Sequence, residues 1–586
     1  MTAPRPWRSG PCIQRAFSAT TVAGLIFCVA AGWLYRDVLR DGPASHVPIV
    51  LPETFVDMAI GDVMIEAWLV TRNARTLARS PRRLFDAEFC APMENSLTLG
   101  IPMITMGLLA VPVRFVSSHP AVVYNTAMVL VYLLSAMAMY LLVREWTGIP
   151  AAGIAAGLLY AFNPIRTGPI SIHPSVWDAS WFVFALLFAQ RWFVAGRWRD
   201  AIGLGVACSL QIGASFYPFL AAFFFAPIYG AWLGVRYGFG KTRPAQWIAV
   251  AAMIVGAAIA VFGPYLDARA ATGTILHHDT PYYFEWSYLL PDGRLYVGLG
   301  VVLFALLGLF APRRSGSGID ADVRWPLGIG AAVVLVIAGG SSHDDALREF
   351  WADAPIRIPD FYHWIAGFVP GLDAVRGILR LTSVVLVSLC VLAGMGAAWL
   401  VRRFPERRLL ASSAVIVIAT FSVLPEATSW KALRVETSRE TAEFFEELEK
   451  LGNRGPLFEL PIVEGRTNLS ENPRRALAVE VHGRRTSACY ASYVSPLADT
   501  LRAISRKLPD AAAVEELLDL GFTTIVLHRS IPNLKREAER LRSAVDRQGD
   551  TAALEILHET DQMIAYALRV ADRPAGEPEG ADATIR

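Results

Sequence analysis

The sequence predicts a polytopic α-helical membrane protein, with about eleven transmembrane helices and a small α/β domain at its C-terminal end. Three observations support this fold class. Of the 586 residues, 54% are hydrophobic and 18% are charged, which is too apolar for a soluble protein and too polar for a bare helical bundle. Apolar runs of spanning length recur up to residue 425. Patterns typical of soluble helices and strands follow them.

Eleven apolar runs are long enough, at roughly 17 to 25 residues, to cross about 30 Å of hydrocarbon. The first follows a basic flank and is long for a cleaved signal sequence, so we expect it to remain as a membrane helix. The runs lie near 17–35, 122–143, 150–166, 176–194, 201–216, 218–235, 246–265, 296–312, 325–341, 379–401 and 408–425.

The positions of arginine and lysine orient these spans. With the N-terminus inside, every short basic cluster falls on the inner side, including Arg144 and the pair Arg402 and Arg403. A further apolar stretch, 96–116, would move these clusters outside if it crossed the membrane. We therefore expect it to be a helix or re-entrant segment on the outer surface. The outer loops are then 36–121, 266–295 and 342–378.

The predicted domain organisation has three parts. Residues 1–425 form a transmembrane domain whose long first outer loop is 36–121. Residues 426–570 form a periplasmic α/β domain, because they contain buried-strand patterns at 456–462 and 523–528 among amphipathic helices. Residues 571–586 are rich in proline, glycine and acids, which is typical of a disordered tail.

Charge, cysteine spacing and motifs narrow the class of protein. A net charge of +2 gives no general attraction to polyanions, so no nucleic-acid partner is expected. The six cysteines form no CxxC pair or metal spacing, and we expect small core residues rather than a disulfide framework. The sequence has no Walker A motif and no GxSxG motif, so ATP-driven transport and serine hydrolysis have no support.

Two acids in the first outer loop are the main candidates for chemistry. The stretch GDVMIEAW places Asp62 and Glu66 four residues apart, on one face of a helix that we expect to run to about Leu77. A carboxylate at the membrane surface can act as a general base towards a hydroxyl group. Alternatively, an aspartate that follows glycine and precedes an apolar-periodic run is a good helix N-cap.

Two other outer connections contain ionisable groups that need a reason to lie at the membrane edge. Arg166, His173 and Asp178 lie in the connection 162–181. His173 could contact a phosphate or a hydroxyl, or it could be an interfacial loop histidine. Arg376 and Arg380 are four residues apart, and two guanidinium groups on one helical face suit a phosphate or diphosphate. Arginines that snorkel from a helix end are the alternative.

A divalent cation is a further possibility, because two outer loops combine histidines with acids. The spacing is not diagnostic of a metal, and solvated loops have the same composition, so we predict no metal ligand. The residues concerned are His277, His278, Asp279, Glu285, Asp292, His343, Asp344 and Asp345.

Taken in order along the chain, several motifs resemble those of bacterial GT-C type integral-membrane glycosyltransferases. The resemblance is to the group related to the lipid-A and lipid-linked-sugar transferases, and it extends over nearly the whole chain. It is carried by Gly61, Asp62 and Trp68, by PRRLFDAEFCAPMENSL, by Tyr124 with Asn125, by FNPIRTGPISIH, by VPGLDAVRGILR and by FELP.

This resemblance implies an inverting glycosyltransferase that depends on a lipid-phosphate sugar. A polyprenyl-phosphate-linked sugar would be the donor, and a lipid, glycan or protein would be the acceptor, on the outer face of the bacterial inner membrane. Asp62 is the position that matches the catalytic base, and Glu66 is the nearest second acid. His173 would contact donor or acceptor, and the pair Arg376 and Arg380 would neutralise the phosphate leaving group.

The alternative hypothesis is a non-enzymatic transporter or handling protein for lipid-linked glycans. Such transporters bury ionisable groups near the bilayer midplane and contain internal repeats. This sequence places its acids in outer loops and shows no repeat, so we expect an enzyme. The sequence specifies neither the sugar nor the acceptor, and it identifies no cofactor.

Overall fold

The computed structural model describes most of the chain, and the account below concerns the described residues. These are 12–52, 56–168, 173–272, 295–311, 323–339, 361–368, 372, 375, 377–423, 430–452, 455–463, 468–529, 531, 534–548 and 553–569. The chain forms two compact units. The first comprises Met1–Leu84 and Gly100–Glu436, and the second comprises Phe85–Leu99 and Thr437–Arg586.

The predicted domain boundaries near residues 425 and 570 stay a prediction. The division into units differs from them in one respect, because residues 85–99 belong to the second unit although they follow the first outer helix in the sequence. The tail 571–586, which we expected to be disordered, lies outside the described residues.

The described part of the first unit is helical, apart from the short strands β1 (His46–Ile49) and β2 (Lys431–Arg434), which pair antiparallel. The helices are α1 Cys12–Leu34, α2 Arg36–Asp41, α3 Val56–Arg79, α4 Ile104–Arg114, α5 Pro120–Thr147, α6 Pro150–Ala161, α7 Pro164–Thr167, α8 Pro174–Trp177, α9 Ser180–Ala195, α10 Trp198–Ala214, α11 Phe216–Tyr237, α12 Pro244–Thr272, α13 Leu299–Phe310, α14 Arg324–Gly339, α15 Phe361–Ala366, α16 Ser383–Arg403 and α17 Arg408–Val423.

Each of the eleven predicted spans overlaps one of these helices, and the span 150–166 also covers most of α7. By length and composition, four helical segments of the described chain could cross a membrane, and five shorter helices are also apolar. The four are Pro120–Thr147, Phe216–Tyr237, Pro244–Ala271 and Ile378–Arg403. The described part of the first unit therefore contains the apolar helices that the sequence predicted. The number of membrane spans stays a prediction.

Local chemistry explains where α5 begins and ends. Pro120 occupies its first position, where no backbone N–H is needed, and the His119 side chain accepts a hydrogen bond from the Ala121 N–H at 3.3 Å. At the other end Gly148 adopts a φ of +69° and donates its N–H to the Arg144 carbonyl at 2.8 Å.

Two glycines allow α13 and α16 to pack closely. A Cβ atom at Gly308 would clash with the Leu392 carbonyl oxygen, and one at Gly396 would clash with the Phe304 carbonyl oxygen. Small residues at such a contact let helix backbones approach each other, which is a common way to pack membrane helices.

The apolar stretch 96–116 does not form one continuous helix. Ser96–Leu99 is a 3₁₀ turn, and α4 begins afresh at Ile104 and ends at Arg114. Eleven residues span roughly 16 Å, about half of the hydrocarbon thickness of a bilayer. A position on the outer surface, rather than across the membrane, stays our prediction for this stretch.

The second unit is built around a four-stranded sheet, as the small α/β domain predicted from the sequence requires. The strand order is β3-β4-β6-β5, in which β3 and β4 are parallel and the other neighbours are antiparallel. The elements are α18 Arg439–Lys450, β3 Leu457–Leu460, α19 Glu471–His482, α20 Ala498–Lys507, α21 Ala511–Asp519, β4 Thr524–His528, α22 Lys535–Gln548, β5 Leu554–Glu559 and β6 Met563–Leu568.

The second unit contains a disulfide that the sequence analysis did not predict. Cys90 is bonded to Cys489, 399 positions away, and backbone hydrogen bonds join the same two segments. The Cys90 N–H donates to the Ala488 carbonyl at 2.9 Å, and the Thr486 N–H donates to the Glu88 carbonyl at 2.7 Å. The expectation of unpaired core cysteines is wrong for this pair, because a pairing over this distance leaves no trace in local spacing.

Candidate functional site

Asp62 and Glu66 both lie on α3, as the sequence predicted. The helix begins at Val56, so Asp62 lies inside it and not at its N-cap. The N-cap interpretation of Asp62 is therefore wrong. One face of α3 is fully buried, including Val63, Ala67 and Val70, and this packing holds the helix in place.

His173 lies between the two acids. Its Nε2 atom is 3.4 Å from Asp62 Oδ2, and its Nδ1 atom is 3.3 Å from Glu66 Oε1. The i,i+4 spacing on α3 places both carboxylates on one side, within reach of a single imidazole. His173 immediately precedes α8, whose first residue is Pro174. The structure thus brings together three of the five predicted site residues.

The two carboxylates differ in their surroundings. The Glu66 side chain is 7% exposed and accepts hydrogen bonds from Ser175 Oγ at 2.8 Å and from the Tyr124 hydroxyl at 3.3 Å. The Asp62 side chain is 28% exposed. Glu66 is therefore held from three sides, whereas Asp62 is the carboxylate that a substrate could approach.

The geometry favours the protonated form of His173. Both ring nitrogens face carboxylate oxygens, and only the imidazolium ion carries a hydrogen on each of them. Burial lowers the pKa of His173, but the hydrogen bond to Glu66 and the charges of Glu66 and Asp62 outweigh it, so the pKa is raised overall. The positive charge of Arg380 opposes this rise.

Arg380 lies in the 3₁₀ helix Ile378–Thr382, which leads into α16. Its Nη1 donates to the Tyr217 hydroxyl at 3.0 Å, and its guanidinium carbon lies 5.0 Å from the centre of the Tyr217 ring. Gly377 leaves room for this side chain, because a Cβ there would lie 2.8 Å from Arg380 Cδ. Arg380 acts electrostatically on His173. Arg376 lies outside the described residues.

Arg166 and Asp178, from the same connection as His173, belong to a separate buried network. The Arg166 guanidinium lies 4.1 Å from the Trp177 ring centre, and it donates to Ser135 Oγ at 2.7 Å. The Ser180 N–H donates to Asp178 at 3.1 Å. Arg166 is 1% exposed and Asp178 is 4% exposed. These groups stabilise the packing of the helices and are closed to a substrate.

The described part of the chain contains no set of side chains that could form a cation site. There, no group of three histidine, cysteine or acidic side chains is arranged to hold a metal. The histidines and acids of the loops 266–295 and 342–378 that prompted the cation hypothesis lie outside the described residues. The hypothesis therefore stays a prediction.

The sequence analysis assigned no site role to three residues that contact the predicted site residues. Tyr124 and Ser175 bind Glu66, and Tyr217 binds Arg380. Each lies at an outer connection or at the outer end of a predicted span, so the predicted topology was the signal that could have identified them.

No protein family matches the sequence, and no curated protein matches it. Several solved structures are similar to the chain, among them the two that follow. Arabinofuranosyltransferase AftD from Mycobacteria is 14% identical over 94% of this chain, with a TM-score of 0.50, and the chain spans 40% of the length of AftD. ArnT from Cupriavidus metallidurans in the apo state is 11% identical, with a TM-score of 0.49 over 95% of this chain and 99% of ArnT. The likeness to AftD confirms the predicted fold class: the chain shares the largely helical fold of this arabinofuranosyltransferase.

Proposed function

We propose that the protein transfers a sugar from a polyprenyl-phosphate donor to a lipid, glycan or protein acceptor on the outer face of the bacterial inner membrane. The observation that carries the proposal is the trio in which His173 bridges Asp62 and Glu66. It presents one accessible carboxylate, held in place, on a chain with a glycosyltransferase fold.

The proposed reaction is a direct displacement at the anomeric carbon of the donor sugar. The acceptor hydroxyl oxygen forms the new bond to this carbon, and the bond to the donor phosphate oxygen breaks. The polyprenyl phosphate leaves with the bonding electrons, and the configuration at the carbon is inverted. Asp62 takes the proton of the acceptor hydroxyl, which makes the oxygen a better nucleophile as the new bond forms.

Glu66 and His173 position the base. Glu66 is closed to a substrate, because its oxygens already accept hydrogen bonds from Tyr124, Ser175 and His173. His173 links Glu66 to Asp62 and so fixes the Asp62 carboxylate. Its positive charge also offsets part of the negative charge of the two acids, which would otherwise repel a phosphate donor.

Arg380 is the proposed contact for the phosphate leaving group. A guanidinium group matches phosphate geometry and stabilises the charge that develops as the bond to the sugar breaks. The hydrogen bond and ring contact with Tyr217 restrict the motion of Arg380 before the substrate arrives. Arg376, one helical turn earlier in the sequence, is the proposed second cation of this contact.

The proposed location of the second unit is the extracytoplasmic side. Its Cys90–Cys489 disulfide supports this, because disulfides form and persist in oxidising compartments and are rare in the cytosol. The same side follows from the positive-inside orientation of the predicted spans.

The proposal is tested by supplying membranes that contain the protein with a panel of labelled polyprenyl-phosphate sugars. Lipid, glycan and protein fractions are then separated and counted, against membranes from cells without the protein. We expect that one donor will transfer its label to one of these fractions, and only in membranes that contain the protein. No transfer with any donor would instead favour a non-enzymatic handling protein for lipid-linked glycans.

A further inference from the structure

A cavity of about 310 Å³ lies between α1, α6 and α17 in the first unit. It is lined by the residues near the N-terminal ends of all three helices, among them Ser18, Pro150 and Arg408. None of the candidate site residues lines it. The cavity is not enclosed, so a ligand can enter it.

The cavity lies at the opposite end of the first unit from the candidate site. Helix α6 begins at the cavity with Pro150 and runs towards the connection that carries His173. Helix α16 begins next to the 3₁₀ helix of Arg380 and, over its 21 residues, runs roughly 31 Å to Arg403, shortly before Arg408. In the predicted orientation the cavity therefore faces the inner leaflet.

Along α1 and α17 the lining of the cavity changes from polar to apolar. Arg408 is the first residue of α17, Ser412 follows one turn later, and Ile416 follows after a second turn. On α6 the lining ends with Ile154, about one turn beyond the start of the helix, and on α1 it ends with Val22. A polar mouth with an apolar interior matches a lipid, whose headgroup lies at the interface and whose acyl chains extend into the membrane.

The charge at the mouth selects an anionic headgroup. The Arg408 side chain is exposed and makes no ion pair within the described residues. Arg408 is the last residue of a short segment, 402–408, that contains four arginines and one glutamate and so has a net charge of +3. The N-terminal end of α17 adds partial positive charge at the same place. Basic pockets between membrane helices on the cytoplasmic side bind anionic lipid headgroups.

We propose that this cavity binds an anionic phospholipid of the inner leaflet. Its phosphate contacts Arg408 and the Ser412 hydroxyl, and an acyl chain lies against Val22, Ile154 and Ile416. The site is independent of the proposed sugar transfer, since it uses none of the same residues and lies at the other end of the helices.

The test is native mass spectrometry of the purified full-length protein after a delipidating wash. Phosphatidylglycerol or phosphatidylcholine is then added in detergent, and retained lipid is counted for wild type, Arg408→Gln and Arg407→Gln. Arg407 is the matched control, because it is the preceding residue, carries the same charge and does not line the cavity. A further variant, Ser412→Trp, fills the mouth of the cavity. All 16 tryptophans of the wild type lie in the first unit, so their fluorescence during melting checks its fold.

We expect wild type to retain one phosphatidylglycerol in preference to phosphatidylcholine. Arg408→Gln should weaken this retention about fivefold with an unchanged melting curve, whereas Arg407→Gln should retain the lipid as wild type does. Ser412→Trp should abolish it. Equal retention of the two lipids by wild type would overturn the proposal. Equal losses in the two arginine variants would also overturn it, because they would indicate a diffuse surface charge.

Discussion

The imidazole of His173 contacts the carboxylate of Glu66 with 3.3 Å between Nδ1 and Oε1, although 107 positions separate the two residues. Through its other nitrogen the same ring contacts Asp62 at 3.4 Å. Helix α3 supplies both acids, and the connection before α8 supplies the imidazole between them. The imidazole of His173 thus links the more exposed acid, Asp62, to the buried acid, Glu66.

Replacing His173 with glutamine is predicted to lower sugar transfer by about ten- to a hundredfold, because Asp62 loses the group that fixes it. The pH profile should change as well. The folded-state pKa of His173 is raised above its ordinary value of 6.5, so the imidazolium contacts are fully present below pH 6.5 and are lost as the pH rises through the raised pKa. Transfer by wild type should therefore fall on the alkaline side, and this limb should be absent in His173→Gln.

The control for this profile is His119→Asn. His119 lies at the start of α5, outside the trio, and asparagine can replace its capping hydrogen bond to the Ala121 N–H. Its pH profile should match that of wild type. An unchanged alkaline limb in His173→Gln would show that His173 does not control the base.

Replacing Arg380 is predicted to affect both donor binding and the chemical step. Arg380→Gln should raise the KM for the donor and lower kcat, together about a hundredfold in kcat/KM, because the phosphate loses a cation in both the ground state and the transition state. Arg380→Lys should recover part of this loss, since lysine keeps the charge but not the planar fork. Equal kcat/KM values for wild type and both variants would contradict the assignment.

The sequence predicted the helices and the face of α3 well, because both follow from apolar periodicity within short windows. It also predicted Asp62, Glu66 and His173 as site residues. It did not predict that they meet, since the contact depends on how α3 packs beside the connection before α8, and periodicity contains no information about that packing. The N-cap interpretation of Asp62 failed for a local reason: the helix starts six positions earlier, at Val56, so the glycine before Asp62 is helical.

The disulfide and the inclusion of residues 85–99 in the second unit also depend on contacts between distant parts of the chain, which local sequence patterns do not reveal. Cys90 follows α3 and Cys489 lies 399 positions later, so no local pattern connects them. The strands β3 and β4 were predictable because each lies in a short, mostly apolar run. The addition of residues 85–99 to their unit depends on backbone hydrogen bonds between distant segments, such as the one from Thr486 to Glu88.

Thiol labelling tests the disulfide and the orientation together. In intact cells, wild type should expose no reactive thiol at Cys90 or Cys489, because each is bonded to the other. Cys489→Ser should leave Cys90 free and open to a membrane-impermeant maleimide added from outside, after mild unfolding of the second unit. The control is Cys390, which is buried in α16 and should remain unlabelled.

Labelling of Cys90 in wild type without a reductant would show that the disulfide does not form. Labelling in Cys489→Ser only after the inner membrane is permeabilised would place the second unit in the cytoplasm. Mapping the labelled peptide by mass spectrometry identifies the cysteine in each case.

The second unit is predicted to lose stability in mild acid. Burial lowers the pKa of His482 to about 4, and its Nε2 atom is buried without a hydrogen-bond partner among the described residues. The unfolded chain takes up a proton near pH 6.5 and the folded chain does not, so stability falls as the pH drops from 6.5 towards 4. Between pH 7 and pH 5 the expected loss is about 2 kcal/mol.

Hydrogen exchange of the full-length protein measures this loss, in peptides that contain β3 and β4 and after correction for intrinsic exchange rates. His482→Gln removes the titrating group, so the protection of these peptides from exchange should depend less on pH in this variant than in wild type. Glu459 adds a second loss of stability at lower pH. Burial opposes its charge, but the contact with His528 lowers the pKa of Glu459 to about 2, so its contribution declines below pH 4.5. Equal protection of wild type at pH 7 and pH 5 would contradict the role of His482.

The central claim is that Asp62 is the base of a sugar transfer, and Asp62→Asn tests it most directly. Asparagine keeps the shape of the side chain but cannot take a proton, so the transfer rate from the labelled donor should fall by about a hundred- to ten-thousandfold at equal expression. Asp57→Asn is the matched control on the first turn of the same helix, and it should transfer sugar at the rate of wild type. A wild-type rate in Asp62→Asn would contradict the claim.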